Sequence, residues 1–95
     1  MDQSFQHLAI LIGAIKAVTE ANAAYTAAGS NLHAVIIANS TEYDLAALLG
    51  DPYPEAVYDA MDDLKDANEN VLRASFDHVH ALAAATSHVE AGAMQ

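Results

Sequence analysis

Gly50-Asp51-Pro52-Tyr53-Pro54 lies near the middle of the chain, and the residues on either side of it read as helix. Gly50 suits the position just past a helix C-terminus, where a left-handed backbone is wanted and glycine adopts it without steric cost. Pro52 cannot continue a helix. Pro54 fits the first position of the next one, with Glu55 in its first turn against the positive end of the helix dipole. The segment predicts a turn joining two arms of similar length, an all-α antiparallel helical hairpin.

Downstream of the turn, Val57, Met61, Leu64, Asn68, Val71, Ser75, His78, Leu82, Ala85 and Val89 are separated alternately by four and three residues. A spacing averaging about 3.5 keeps one stripe of a helix facing one partner, as coiled-coil-like packing requires. Residues 54 to 90 therefore predict one long helix, about 55 Å at ~1.5 Å per residue. Such a helix must lie against something along its whole length. Asn68 and His78 sit on this stripe among apolar neighbours, where single polar groups fix register and oligomeric state at some cost in stability.

Upstream, a helix starts near Ser4 as N-cap and carries its own stripe through Phe5, Leu8, Ile12, Ile15, Thr19 and Asn22, widened by Leu11, Val18 and Tyr25. Gly29-Ser30-Asn31 interrupts it, since glycine costs about 1 kcal/mol inside a helix and Ser or Asn caps a new start. Asn39-Ser40-Thr41-Glu42 is a second interruption and reads as a capping-box variant, followed by an apolar stretch from Tyr43 through Leu48 to Leu49. Two architectures follow for residues 4 to 49: one helix kinked near Gly29 and Asn39, or a long helix and two short ones. The stripe can be followed across both interruptions, which favours the kinked helix.

Composition narrows the function classes. The 95 residues make one domain, 1–95, too small to bury a large core alone, so a second chain is expected to supply the missing core. At 54% hydrophobic the chain is too apolar for disorder. It has no cysteine, which excludes disulfides, thiolate metal sites and cysteine catalysis. Net charge is −10, with Lys16, Lys65 and Arg73 as the cations. Gripping a phosphate backbone requires Lys and Arg, so nucleic acid is not an expected partner, and anionic membranes are disfavoured for the same reason. The apolar run Leu8 to Ile15 lacks a basic flank and falls short of the ~20 residues of a membrane span. A soluble protein is expected, and any export would proceed without a classical signal peptide.

No constellation calls for catalysis. Asp59, Asp62, Asp63, Asp66 and Glu69 have helical spacing on the side away from the stripe and read as a solvated face. A hairpin offers that run no pocket, and the run lacks the loop of an EF-hand. The histidines are His7, His33, His78, His80 and His88. Asp77 and His80 share a helix face and make half a metal site. The helix does not bring a third ligand to them, so no metal or other cofactor is expected. No serine sits in a glycine-flanked elbow, and no glycine loop cradles phosphate.

Leu48-Leu49-Gly50 in the turn, Glu55-Ala56 opening the second helix, and alanine-rich arms without cysteine resemble the WXG-type substrates of bacterial type VII secretion systems. That family has Trp-x-Gly in the turn, where Leu48 stands here. Its export signal places a tyrosine four positions before an acidic residue after the second helix. Tyr58 and Asp62 have that spacing but lie at the start of the helix. The resemblance implies a noncatalytic hairpin that pairs with a second hairpin, its own or another's, into a four-helix bundle.

The interface expected from the residues comprises the ten stripe positions from Val57 to Val89 together with Leu8, Ile12 and Ile15, closed at the turn by Leu48, Gly50, Pro52 and Pro54. Two other functions fit the same sequence. One is a structural subunit of a larger array, such as a phage particle or secretion filament. The other is a pH- or metal-responsive module, in which protonation of the five histidines adds five positive charges to the formal −10.

Overall fold

The computed structural model describes residues 3–93 and is all-helical, with no strand among the described residues. Three helices follow in order: α1 (Gln3–Ala38), α2 (Ser40–Leu49) and α3 (Glu55–Ala93). α1 and α3 pack along one another in opposite directions, within an envelope of 69 × 19 × 13 Å. The His7 and His88 rings meet 4.7 Å apart at the end remote from the turn. Ala17 and Ala24 lie opposite Asn70, Arg73 and Asp77 midway, and Tyr25 and Leu32 lie beside Met61 and Leu64 nearer the turn.

α1 runs unbroken through Gly29, contrary to the expected interruption there. Gly29 is half-buried against α3, and a Cβ built on it would meet only the Leu64 Cδ1 at 4.0 Å. Packing of the flanking Ala28 and Leu32 holds the helix across the weak residue, as tertiary contacts routinely override local propensity. Ser4 falls inside α1 rather than capping it, an offset within the usual uncertainty of helix ends.

The interruption is at Asn39, which leaves helical geometry with φ −115 and ψ 27. It is not the expected capping box, because its side chain makes no cap hydrogen bond to α2. The Asn39 carboxamide instead donates back to the Val35 carbonyl at 2.9 Å, beside the Asn39 main-chain N–H at 3.1 Å. The Tyr43 N–H still donates to the Asn39 carbonyl at 2.8 Å, so i-to-i−4 bonding persists on both sides of a single non-helical residue. The first arm is thus two helices, α1 and α2, with one break at Asn39 where two interruptions were expected, and it matches neither of the two architectures as stated.

The turn closes on Gly50, whose φ of 73 and ψ of 18 are left-handed. The Asp51 N–H donates to the Ala46 carbonyl at 3.0 Å, the long-range bond of a Schellman motif. Pro54 sits one residue before α3 rather than at its first position, and its carbonyl accepts from the Val57 N–H at 2.9 Å. Proline suits that place too, because a residue flanking the helix start has no N–H to satisfy within the helix.

By length and composition, α1 from Phe5 to Ala38 is apolar enough to cross a membrane, with a mean hydropathy of 1.3. The run from Leu8 to Ile15 is only the first part of this apolar helix. Continuity through Gly29 and the many alanines lengthens the apolar helix well beyond that run.

Candidate functional site

The contact between α1 and α3 follows its own heptad spacing. On α3 the least exposed residues are Val57, Ala60, Leu64, Ala67, Val71, Ala74, His78, Ala81, Ala85 and His88. On α1 they are His7, Leu11, Ala14, Val18, Ala21, Ala28, Gly29, Leu32, Val35 and Ile36, with Asn39 just beyond its end. Alanine occupies alternate places on α3, which lets the two backbones approach closely. It also limits the apolar area removed from water. Only Ala46, Val57, Ala60 and Ala67 are buried hydrophobics, and no polar side chain is buried among the described residues.

The stripe read from the sequence divides across this seam. Val57, Leu64, Val71, His78 and Ala85 lie on it and face α1. Met61, Asn68, Leu82 and Val89 stand one residue round the helix and are exposed, with Ser75 in the same row half-buried. Leu8, Ile12 and Ile15 are likewise exposed beside the α1 seam. At the turn, Leu48 (81% exposed), Gly50 and Pro52 face outward, while Pro54 is half-buried.

These flanking rows fall on one side of the molecule. A cleft of about 460 Å³ at the open end is lined by Leu8 from α1 and by Thr86 and Val89 from α3, with Glu90 at its edge. Nearer the turn, Met61, Lys65 and Asn68 line a second cleft on that side with Tyr25 and Leu32. The opposite side has a different character, with Glu20, Asn70, Arg73 and Asp77 along its groove.

Written out in full, the flanking rows are Phe5, Leu8, Ile12, Ile15, Thr19, Asn22, Thr26, Gly29, His33 and Ile36 on α1, and Tyr58, Met61, Lys65, Asn68, Leu72, Ser75, Val79, Leu82, Thr86 and Val89 on α3. Neither row holds a single Asp or Glu, although the chain has 13. The acidic residues of α3 occupy the other faces, and Asp59, Asp62, Asp63, Asp66 and Glu69 are all exposed. One side of the pair is thus apolar to neutral and the other acidic. Large apolar side chains stand uncovered on the neutral side, including Phe5 (68% exposed) and Val89 (67% exposed).

A tyrosine cluster at the turn has no counterpart in the sequence reading. Tyr43 and Tyr53 stack at 4.7 Å with a 14° interplanar angle, and Tyr53 meets Tyr58 at 5.9 Å. The Tyr53 N–H donates to the Tyr58 hydroxyl at 3.2 Å, so the cluster ties α2, the turn and α3 together. Its only sequence signal is a tyrosine held between two prolines.

The histidines are dispersed along the two long helices. His7 and His88 meet across the two helices with rings tilted by 34°, and His78 lies on the seam. His33 and His80 are exposed on separate helices. Among the described residues no group of three or more His, Asp or Glu side chains is placed to hold an ion. The surface can bury apolar area and exclude water.

No family model matches the chain, and no curated protein or solved structure matches it. What the fold itself defines is a class: an elongated all-helical protein with one neutral, apolar long side.

Proposed function

We propose that this chain is a noncatalytic helical assembly protein, an antiparallel hairpin that completes its core by pairing with a second hairpin into a four-helix bundle. One observation carries the reading. The buried hydrophobic set is three alanines and a valine, while Phe5, Leu8, Ile12, Ile15, Leu82 and Val89 stay in contact with water. Soluble monomers rarely leave so large a contiguous apolar area uncovered.

The resemblance to type VII secretion substrates suggests the same kind of partner, a second helical hairpin, for a protein exported with or as that partner. A membrane is the less suitable cover for α1. Throughout its length α1 is packed against α3, whose outer faces carry Asp59, Asp62, Asp63, Asp66 and Glu69. Carrying those carboxylates into hydrocarbon, or stripping α3 away, would each cost several kcal/mol.

Light scattering after size exclusion, across a hundredfold range of concentration, tests the proposal. Twice the chain mass, alone or with a second hairpin protein, is the expected result. Masses that climb without limit would replace it with the array subunit, whose head-to-tail contacts do not close. A folded monomer at every concentration would remove it.

A further inference from the structure

We propose that the outer face of α2 is a docking surface for a basic amphipathic helix of a different protein. The short helix is packed inside out. Its buried residue is Ala46, while the larger Leu45, Leu48 and Leu49 are each at least half exposed. At ~3.6 residues per turn the three leucines form a stripe about 100° wide, with the i, i+3, i+4 spacing by which helices engage one another. None of them belongs to the two neutral rows, so the stripe is a second surface whether or not two hairpins pair.

The fold holds this stripe outward. Tyr43 and Ala46, three residues apart, take the other side of α2. There the Tyr43 ring stacks on Tyr53 at 4.7 Å, and the Tyr53 N–H donates to the Tyr58 hydroxyl at 3.2 Å. Left-handed Gly50 and the bond from the Asp51 N–H to the Ala46 carbonyl fix the end of the helix. Rotating α2 to bury its leucines would break these contacts. Large apolar side chains kept in water on a fixed element mark an interaction surface.

Charge selects the occupant. Glu42 and Asp44 flank the stripe on its two edges, and Asp51 stands just past its end, all exposed. From Glu42 to Asp63 the chain has seven acidic residues and neither Lys nor Arg. A second copy would set the same carboxylates against these, so it does not suit this face. Nucleic acid and anionic membranes are repelled for the same reason. A helix with leucine-like residues on one face and Lys or Arg beside them covers the stripe and pairs Glu42 and Asp44. Three leucines make a small contact, suited to reversible rather than permanent binding.

The probe is a fluorescein-labelled helical peptide with a leucine stripe flanked by lysines, and its control is a twin with every lysine replaced by glutamate. Fluorescence anisotropy measures the binding of each to the full chain. The lysine peptide should bind and the glutamate twin should not. Leu48→Ser should weaken binding at least about tenfold, and Glu42→Gln with Asp44→Asn about fivefold at low ionic strength. All three positions are exposed, so circular dichroism should show unchanged helix content. No binding of the lysine peptide, or equal binding of both peptides, overturns the proposal. Binding that both variants leave unchanged puts the peptide on another face and overturns it too. Light scattering of Leu48→Ser should give the wild-type mass, so a failure of pairing and a failure of docking are seen separately. A changed mass would place the stripe in the pairing surface and overturn its role as a second one.

Discussion

Gly50 and Val57 bracket the turn, and each holds a position that one substitution tests. Gly50 has φ 73, a backbone that an L side chain strains by about 1–2 kcal/mol, so Gly50→Ala should lower stability by that amount with no loss of helix content at low temperature. Urea unfolding followed by circular dichroism measures both. Val57 has 0% of its surface exposed, the most enclosed large side chain described. Val57→Ala removes two methyl-sized groups from that site and should cost about 2 kcal/mol in the same experiment. The glycine was legible in the sequence because a residue with a special backbone sits between a helical pattern and two prolines. The tyrosine cluster was not, because Tyr43, Tyr53 and Tyr58 come from three different segments and meet only once the turn has formed.

At the level of the elements, that all the structure is helix, that the break falls at residues 50–54 and that a long second helix follows could all be read from periodicity and breakers. The fate of Gly29 could not, because propensity is a local quantity and the contact that holds the helix there comes from Leu64, far away in sequence. A Cβ at Gly29 meets nothing closer than 4.0 Å, and α1 is helical on both sides of it. Gly29→Ala should therefore raise stability by about 0.5–1 kcal/mol, read as a higher midpoint in thermal or urea unfolding. The candidate surface was half legible for a related reason. A hydrophobicity-weighted eye follows the large residues Met61, Leu82 and Val89, whereas the seam between α1 and α3 is filled by Ala60, Ala67, Ala74 and Ala81. Small residues let helices come close, so the intrachain seam gives a weak signal and the outward face a strong one. The sequence stripe merged the two.

On the scale of the whole molecule, charge and apolar area pull against each other. The chain carries a net charge of −10, and the acidic residues from Glu42 to Glu69 crowd into the half nearest the turn. Pairing through the neutral side brings two such charges together, although Asp59, Asp62, Asp63, Asp66 and Glu69 lie on the other faces of α3. Their repulsion acts through water across the thickness of two layers, beyond the ~8 Å screening length at physiological ionic strength and well within the ~30 Å length at 0.01 M. The apolar contacts gain nothing comparable from dilute salt. Raising sodium chloride from 0.01 to 0.15 M should therefore tighten association at least about tenfold, measured as the dimer dissociation constant by analytical ultracentrifugation. Substituting Asp62→Asn and Asp66→Asn together, both exposed and away from the contact, should flatten that dependence while leaving the dimer mass unchanged. An association that ignores salt would mean that the like charge of the two chains does not oppose their pairing. Ionic strength thus tests the pairing itself, because two chains of net charge −10 repel in either orientation while the apolar contact is not weakened by salt.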